Sequence, residues 1–508
     1  MRYSSTLLFA ITLSAALSLA KGGLAAPRNP TKDDFRQWTD TIEKARTSVG
    51  VQGMSVAVVY KGETIYTQAF GKRNDKDPFT VETLTCIASL TKAFTAAAIG
   101  ELVAEGKADW ETPINEYFPH FKSKNPYLTA EINFVDLLSH RTGYPSLDVH
   151  WFHRNASRTE LIKDLRYVEP VAPLRSRWIY NNVMYGVAGE ASARLEGKAW
   201  EDVVRDRILI PAGMNSSGLS IKTMLTRPNH ALPYGSKSFE AAQRMDNYQV
   251  VPDTHYMVDA PAGDIYSNVL DLAKWAKLML RQGKLDGKQV LHKDTVESVT
   301  KRWFADENVV SGLGWFIQDY KGHHMVHHSG GWSGYYSYIA MFPNDDLAVV
   351  VLSNKENSEM VVRAPLFFAE SIFDLPKTDG LLSTALVAAD KIAHERSSIE
   401  ALDQFFPPQV KNKPPTHKLR DFAGEWTHPY GTPVSVIVNS KGRLAIKMAD
   451  YEGVLEHHHY DSFRHRLILT AGRLPLFLSF ITGDDGSVDQ LRITLNDKPL
   501  VYTRVVRS

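Results

Sequence analysis

The stretch CIASLTKAFTAAAIGELVAEGK (Cys86 to Lys107) sets a serine, Ser89, and a lysine, Lys92, three residues apart at the head of an apolar run. From Ala93 onward alanine, isoleucine, leucine and valine recur at helical spacing, which predicts a largely buried helix. Positions i and i+3 share a helix face, so the hydroxyl and the amine are neighbours. A buried lysine is costly unless it is paired or its pKa is lowered. Such an amine can take the proton of an adjacent hydroxyl and turn a weak nucleophile into a useful one. The competing reading makes Ser89 a helix cap and Lys92 a side chain that snorkels to solvent.

Two further segments follow in a specific order. WIYNNVMYGVAG (Trp178 to Gly189) contains Tyr180-Asn181-Asn182, and HHSGGWSGYYSYIAMFP (His327 to Pro343) contains His328-Ser329-Gly330-Gly331, read as the start of a strand. Together, S-x-x-K, Y-x-N and H-S-G resemble the serine β-lactamase and penicillin-binding protein superfamily. The resemblance is closest to its class C β-lactamases, DD-carboxypeptidases, D-aminopeptidases and esterases. DLLSHRTGYP (Asp136 to Pro145), PAGDIYSNVLDLAKWAKLML (Pro261 to Leu280), GLGW (Gly312 to Trp315) and FPNDDLAVVVLSN are similar to stretches of that group, and the likeness runs from Phe35 to Phe373. FAGEW and YEGVLEHHHYDSF, farther on, are similar to a lipocalin-like domain appended to some of these hydrolases.

The resemblance implies a mechanism. Ser89 would be the acylated nucleophile, Lys92 its base, and Tyr180 a proton shuttle to the leaving group. Asn182 would hold the substrate amide, and His328, Ser329, Gly330 and Gly331 would line it as a strand. The backbone N–H groups of Ser89 and Gly331 would form an oxyanion hole. Gly330-Gly331 suits a backbone that must approach a ligand closely. No metal or organic cofactor is implied. One departure stands out: many relatives carry Lys-Thr-Gly where this chain has His328-Ser329-Gly330. A lysine supplies a fixed charge for a substrate carboxylate, whereas a histidine is only partly charged near neutral pH. The substitution is usual in the D-aminopeptidase and esterase branches, so the resemblance implies D-amino-acid peptides or small esters as substrates rather than β-lactams. An acyltransferase, a β-lactamase and a non-catalytic peptidoglycan-binding scaffold are the alternatives.

These residues need elements to position them. GMSVAVVYKGETIYTQAFG (Gly53 to Gly71) reads as two strands joined at Lys61-Gly62, and the second strand signal comes only at Met325 to Asn354. Strands at both ends with a helical stretch between them predict an α/β domain: an antiparallel sheet of β-lactamase/transpeptidase type with helices on both faces and an inserted helical subdomain. A small antiparallel β-barrel follows, predicted from short alternating strands after Leu419 with turns at Ser440-Lys441-Gly442 and Asp484-Asp485-Gly486. The expected domain bounds are 1–20 for a signal peptide, 31–400 for the catalytic domain, 401–418 for a linker containing two Pro-Pro pairs, and 419–508 for the β-domain.

The 508 residues are too many for one ordinary core. A net charge of +1 gives no nucleic-acid footprint, so the expected partner is a small-molecule or peptide substrate. Arg2, the apolar run from Leu7 to Leu19 and Ser18-Leu19-Ala20 point to an exported, secreted or periplasmic protein without a membrane span. The single cysteine, Cys86, excludes an intramolecular disulfide and a Cys-based zinc site. His327 and His328 would point to opposite faces of a strand, so they and the run His457-His458-His459 are expected to be satisfied polar groups. Asn155-Ala156-Ser157 and Asn215-Ser216-Ser217 are glycosylation sequons. The oligomeric state is left open.

Overall fold

The computed structural model describes residues 27–147, 156–236, 248–250, 260–332, 334–356, 358–376, 381–382, 403, 406–448, 451–469, 472–495 and 498–505. The expected signal peptide and Asn155 of the first sequon lie outside them.

Eight antiparallel strands form the first sheet, in the order Glu63–Gly71, Gly53–Tyr60, Leu347–Ser353, Tyr335–Phe342, His323–Trp332, Phe316–Tyr320, Val310–Ser311, Phe304–Ala305. The Lys61-Gly62 turn is as expected: φ is 52° at Lys61 and 81° at Gly62, the two left-handed residues of a tight hairpin. Gly53–Tyr60 then pairs on its other side with Leu347–Ser353, so the two ends of the domain do close one sheet.

Side-chain alternation sorts the central strands onto two cores. Val56, Val58, Val349 and Val351 face Trp38, Ile42 and Ala45 of the helix Lys32–Ser48 and Met360, Ala364 and Phe368 of Glu359–Ile372. Ala57, Val59, Val350 and Leu352 face the helices Thr91–Ala104 and Val269–Leu280, where Phe94 stacks on Trp275 at 4.1 Å. A strand covered on both sides reads as a continuous apolar run rather than an alternating one, which explains MSVAVV and LAVVVL.

The helix Thr91–Ala104 is buried without a break from Thr91 to Leu102. Its small residues are a packing requirement: a Cβ on Gly100 would lie 2.7 Å from Thr295 Cγ2. Ser89 is not in this helix. It sits in a single 3-10 turn, Ala88–Leu90, just ahead of it, which corrects the expected placement at the helix start. The strand carrying His328 also starts earlier than expected, at His323, so His328-Ser329-Gly330-Gly331 occupy its second half. The polar pair His323-His324 had masked that start in the sequence.

The second sheet has nine antiparallel strands. Its two outermost strands, Tyr451–Val454 and Glu456–His459, are consecutive in the chain, so the sheet curls into a nearly closed barrel. His465 fastens the seam: its Nε2 meets Tyr451 Oη at 2.6 Å and its Nδ1 meets the Val454 carbonyl at 2.9 Å. Phe422, Trp426, Phe463, Phe480 and Tyr502 fill the interior. His457 and His459 contact Tyr460 O and Val410 N–H, the satisfied state expected of them, whereas His458 reaches the Pro407 carbonyl through Nε2 but has no partner among the described residues for its buried Nδ1.

Candidate active site

Ser89, Lys92 and Tyr180 converge. Lys92 Nζ donates to Ser89 Oγ at 3.1 Å, and the Tyr180 hydroxyl donates to the same oxygen at 2.9 Å. Lys92 is 0% exposed and so cannot snorkel. Its Nζ also donates to the Ala262 carbonyl at 2.9 Å and lies 4.8 and 5.3 Å from the ring centroids of Tyr180 and Tyr185. Aromatic faces attract a cation, so both rings help to hold it. Tyr185 is fully buried and forms the second of these walls; its hydroxyl donates to the Leu138 carbonyl at 2.6 Å.

The turn under Ser89 is strained and clamped. Ala88 has φ 48°, a left-handed conformation that costs a non-glycine residue of order 1 kcal/mol or more. The Cys86 thiol spans that turn: Ala88 N–H reaches Sγ at 3.3 Å, and Sγ lies 3.7 Å from the Gly263 carbonyl. From below, Ile265 N–H donates to Thr91 Oγ1 at 3.1 Å and Thr95 Oγ1 donates to the Pro261 carbonyl at 2.7 Å. The segment Pro261–Ile265 is therefore pinned to the nucleophile helix at several points.

The strand His323–Trp332 supplies the opposite wall. Its pairing with Phe316–Tyr320 ends at Phe316↔His327, so beyond that point this edge has no ladder partner among the described residues. A Cβ on Gly330 would sit 2.1 Å from the Ile87 carbonyl and 3.0 Å from Ser89 N, so only glycine lets the strand backbone approach the turn this closely. Ser337, paired with Gly330, donates from Oγ to the same Ile87 carbonyl at 2.7 Å.

Alternation splits the remaining strand residues. His328, paired with Ile339, faces the Ser89 side, where its ring stacks on Phe316 at 4.9 Å. Ser329 and Gly331 pair with Tyr338 and Tyr336 and look to the other face, where Ser329 hydrogen-bonds Tyr336. Only the backbone of Ser329 and Gly331 belongs to the nucleophile side. His328 is also less charged than its residue type suggested: burial, then the nearby Lys92, push its pKa down to about 3. Asn182 opens the helix Asn182–Glu196 two residues after Tyr180. Asn181 caps that helix through Met184 N–H at 3.2 Å. Such a cap is worth about 1 kcal/mol.

Sequence reasoning did not single out His140. It is buried at φ 60°, with its ring 4.4 Å from that of Tyr180. The signal was present in DLLSHRTGYP, a run of polar residues directly after a buried apolar pair, but spacing alone gives such a residue no role.

Comparison with known proteins places the chain in a family. The Beta-lactamase family profile matches residues 38–369, and a profile described as a domain of unknown function (DUF3471) matches residues 408–504. An unguisins hydrolase of Aspergillus campestris is 27% identical over 82% of this chain and 79% of its own length. A beta-lactamase of Escherichia coli is 24% identical over 68% of this chain and 95% of its own. The octameric penicillin-binding protein homologue of Pyrococcus abyssi superposes with a TM-score of 0.60 at 20% identity, covering 92% of this chain and all of that one. The profile match spans well over half of the chain, and the chain therefore belongs to the beta-lactamase family of serine hydrolases.

Proposed function

We propose that the protein hydrolyses neutral amides or esters, D-amino-acid peptides or small esters foremost, through an acyl-enzyme on Ser89. The observation that carries this reading is the convergence of Lys92 Nζ and Tyr180 Oη on Ser89 Oγ at 3.1 and 2.9 Å.

The steps follow from that contact. As Ser89 Oγ bonds to the substrate carbonyl carbon, its proton passes to the Lys92–Tyr180 pair, with Lys92 acting as a neutral amine at that moment. The carbonyl oxygen takes up the electron pair and faces the Ser89 and Gly331 N–H groups, where one such donor is typically worth about 10²–10³ in rate. Collapse expels the amine or alcohol, which leaves with the proton that Tyr180 hands over. Water then repeats the sequence on the acyl-enzyme, with the same pair taking its proton and Ser89 Oγ recovering one. The strained turn at Ala88 and the pinned Pro261–Ile265 segment keep the hydroxyl preorganised, which is where positioning contributes most.

Neutral acyl donors fit because His328 carries no charge at working pH. A substrate carboxylate beside it would lose its water without gaining a cation on that strand. The N-terminal apolar run supports export from the cytoplasm as the setting.

The test is a panel of p-nitrophenyl esters and D-aminoacyl amides, each with and without a carboxylate next to the scissile bond. The neutral member of each pair is expected to have the higher kcat/KM, by about tenfold or more, the size of one charge-assisted contact. Equal or reversed preference would refute the substrate assignment.

A further inference from the structure

We propose that His140 is a positioning residue that fixes the placement of the Tyr180 hydroxyl against Ser89. It grips the chain on both sides of that tyrosine. Its carbonyl accepts the Ile179 N–H at 2.8 Å, and its Nδ1 accepts the Asn181 N–H at 3.1 Å. Tyr180 lies between these two anchors, and the imidazole backs its ring at 4.4 Å. Trp178 and Tyr185 close around the same imidazole at 5.5 and 5.3 Å.

The clamp is itself anchored. Asp136, fully buried, accepts from Arg141 Nε at 2.6 Å and from Arg175 Nε and Nη2 at 2.9 Å each. Arg175 N–H returns to the Arg141 carbonyl at 2.7 Å, and Arg141 Nη1 reaches the Trp303 carbonyl at 3.0 Å. Two guanidinium groups on one buried carboxylate fix the 136–141 loop, and that loop presents His140 in its left-handed conformation. An imidazole that accepts a backbone N–H at Nδ1 carries its proton on Nε2 and is neutral. Burial and the neighbouring Lys92 and His328 hold it in that form. Protonation would turn Nδ1 into a second donor and release Asn181. The chemistry that the clamp serves is that of Tyr180, so this inference rests on the acyl-enzyme reading.

The experiment follows the rate at which a fluorophosphonate adds to the protein, by intact mass, in wild type, Ser89→Ala, His140→Asn, His140→Gly, Tyr180→Phe and the His140→Gly/Tyr180→Phe double variant. Asparagine and glycine both tolerate a left-handed backbone, but only asparagine offers an acceptor near the Nδ1 position. His140→Asn is expected within about threefold of wild type, and His140→Gly slowed about 10- to 100-fold, the scale of a small misplacement of a reacting group. In the Tyr180→Phe background His140→Gly is expected to add little, because the hydroxyl it would misplace is already gone.

His140→Asn as slow as His140→Gly, His140→Gly as fast as wild type, or full additivity with Tyr180→Phe would each overturn the assignment. Should the glycine variants not fold, His140→Asn decides alone: a near-wild-type rate supports the clamp and a tenfold loss overturns it. Failure of the acyl-enzyme reading is seen separately, as an unlabelled wild type or a labelled Ser89→Ala.

Discussion

The chain builds two antiparallel sheets and treats their edges and interiors in opposite ways. The barrel brings its two outer strands together at the His465 seam and fills itself with aromatic side chains. Among the described residues the catalytic sheet has no ladder partner on one edge beyond His327, and it sets that edge against a turn that only glycine can approach. Deeply buried polar groups separate the two as well: Lys92, Asp136, His140, Asn181 and His328 in the first, against Thr432 and His458 in the barrel. Desolvating a polar group is costly unless its partners repay it. The difference teaches that the catalytic domain accepts buried polar groups, some of them gathered around one hydroxyl, whereas the barrel is built for packing.

Lys92→Met sharpens that contrast most. The account predicts loss of acylation by about 10²–10⁴-fold, the usual contribution of a general base. It also predicts unchanged or raised thermal stability, because a well-packed apolar side chain often replaces a buried charge at no cost. Thermal melting beside fluorophosphonate labelling checks both. A variant that melts much lower yet still acylates would make Lys92 a structural residue.

A smaller effect concerns acid. His327 and His328 are pushed down to about 4 and about 3, in both cases chiefly by burial, and burial first, then Lys92, lowers His140 as well. Above pH 6.5 these side chains are neutral in both folded and unfolded chains, so they take nothing from stability. Below it the unfolded chain binds protons that the folded chain refuses, and stability falls as the pH drops towards the folded values. Each such histidine contributes a slope of about 1.4 kcal/mol per pH unit. Tryptophan fluorescence reports mostly on the catalytic domain, because Trp426 is the only tryptophan between residues 408 and 504. Its melting temperature is expected to fall between pH 7 and pH 5, less steeply in His328→Gln. A flat or rising profile would mean that these imidazoles are already protonated in the folded protein.

The parts legible in the sequence were those with a local rule. Lys61-Gly62 announced its hairpin, the apolar runs announced doubly covered strands, and Ser89, Lys92 and Tyr180 of S-x-x-K and Y-x-N are side chains that folding brings together. The illegible parts were set by tertiary contact. Nothing local says that Ser89 precedes its helix in a 3-10 turn, because the strained Ala88 is held there by Cys86 and by the close approach of Gly330. Nothing local says that His328 is uncharged, since its neutrality comes first from burial in the folded chain and then from Lys92, a residue distant in the sequence. Tyr185 and His140 took their places at the site in the same way, through neighbours that spacing could not name.

The central claim is that Ser89 is an activated nucleophile. Its most direct test is the intact mass of wild type and Ser89→Ala after exposure to a fluorophosphonate. The account predicts one adduct on wild type and none on the variant. Equal labelling of the two would place the nucleophile elsewhere, and a folded wild type that takes up no label would contradict the claim outright.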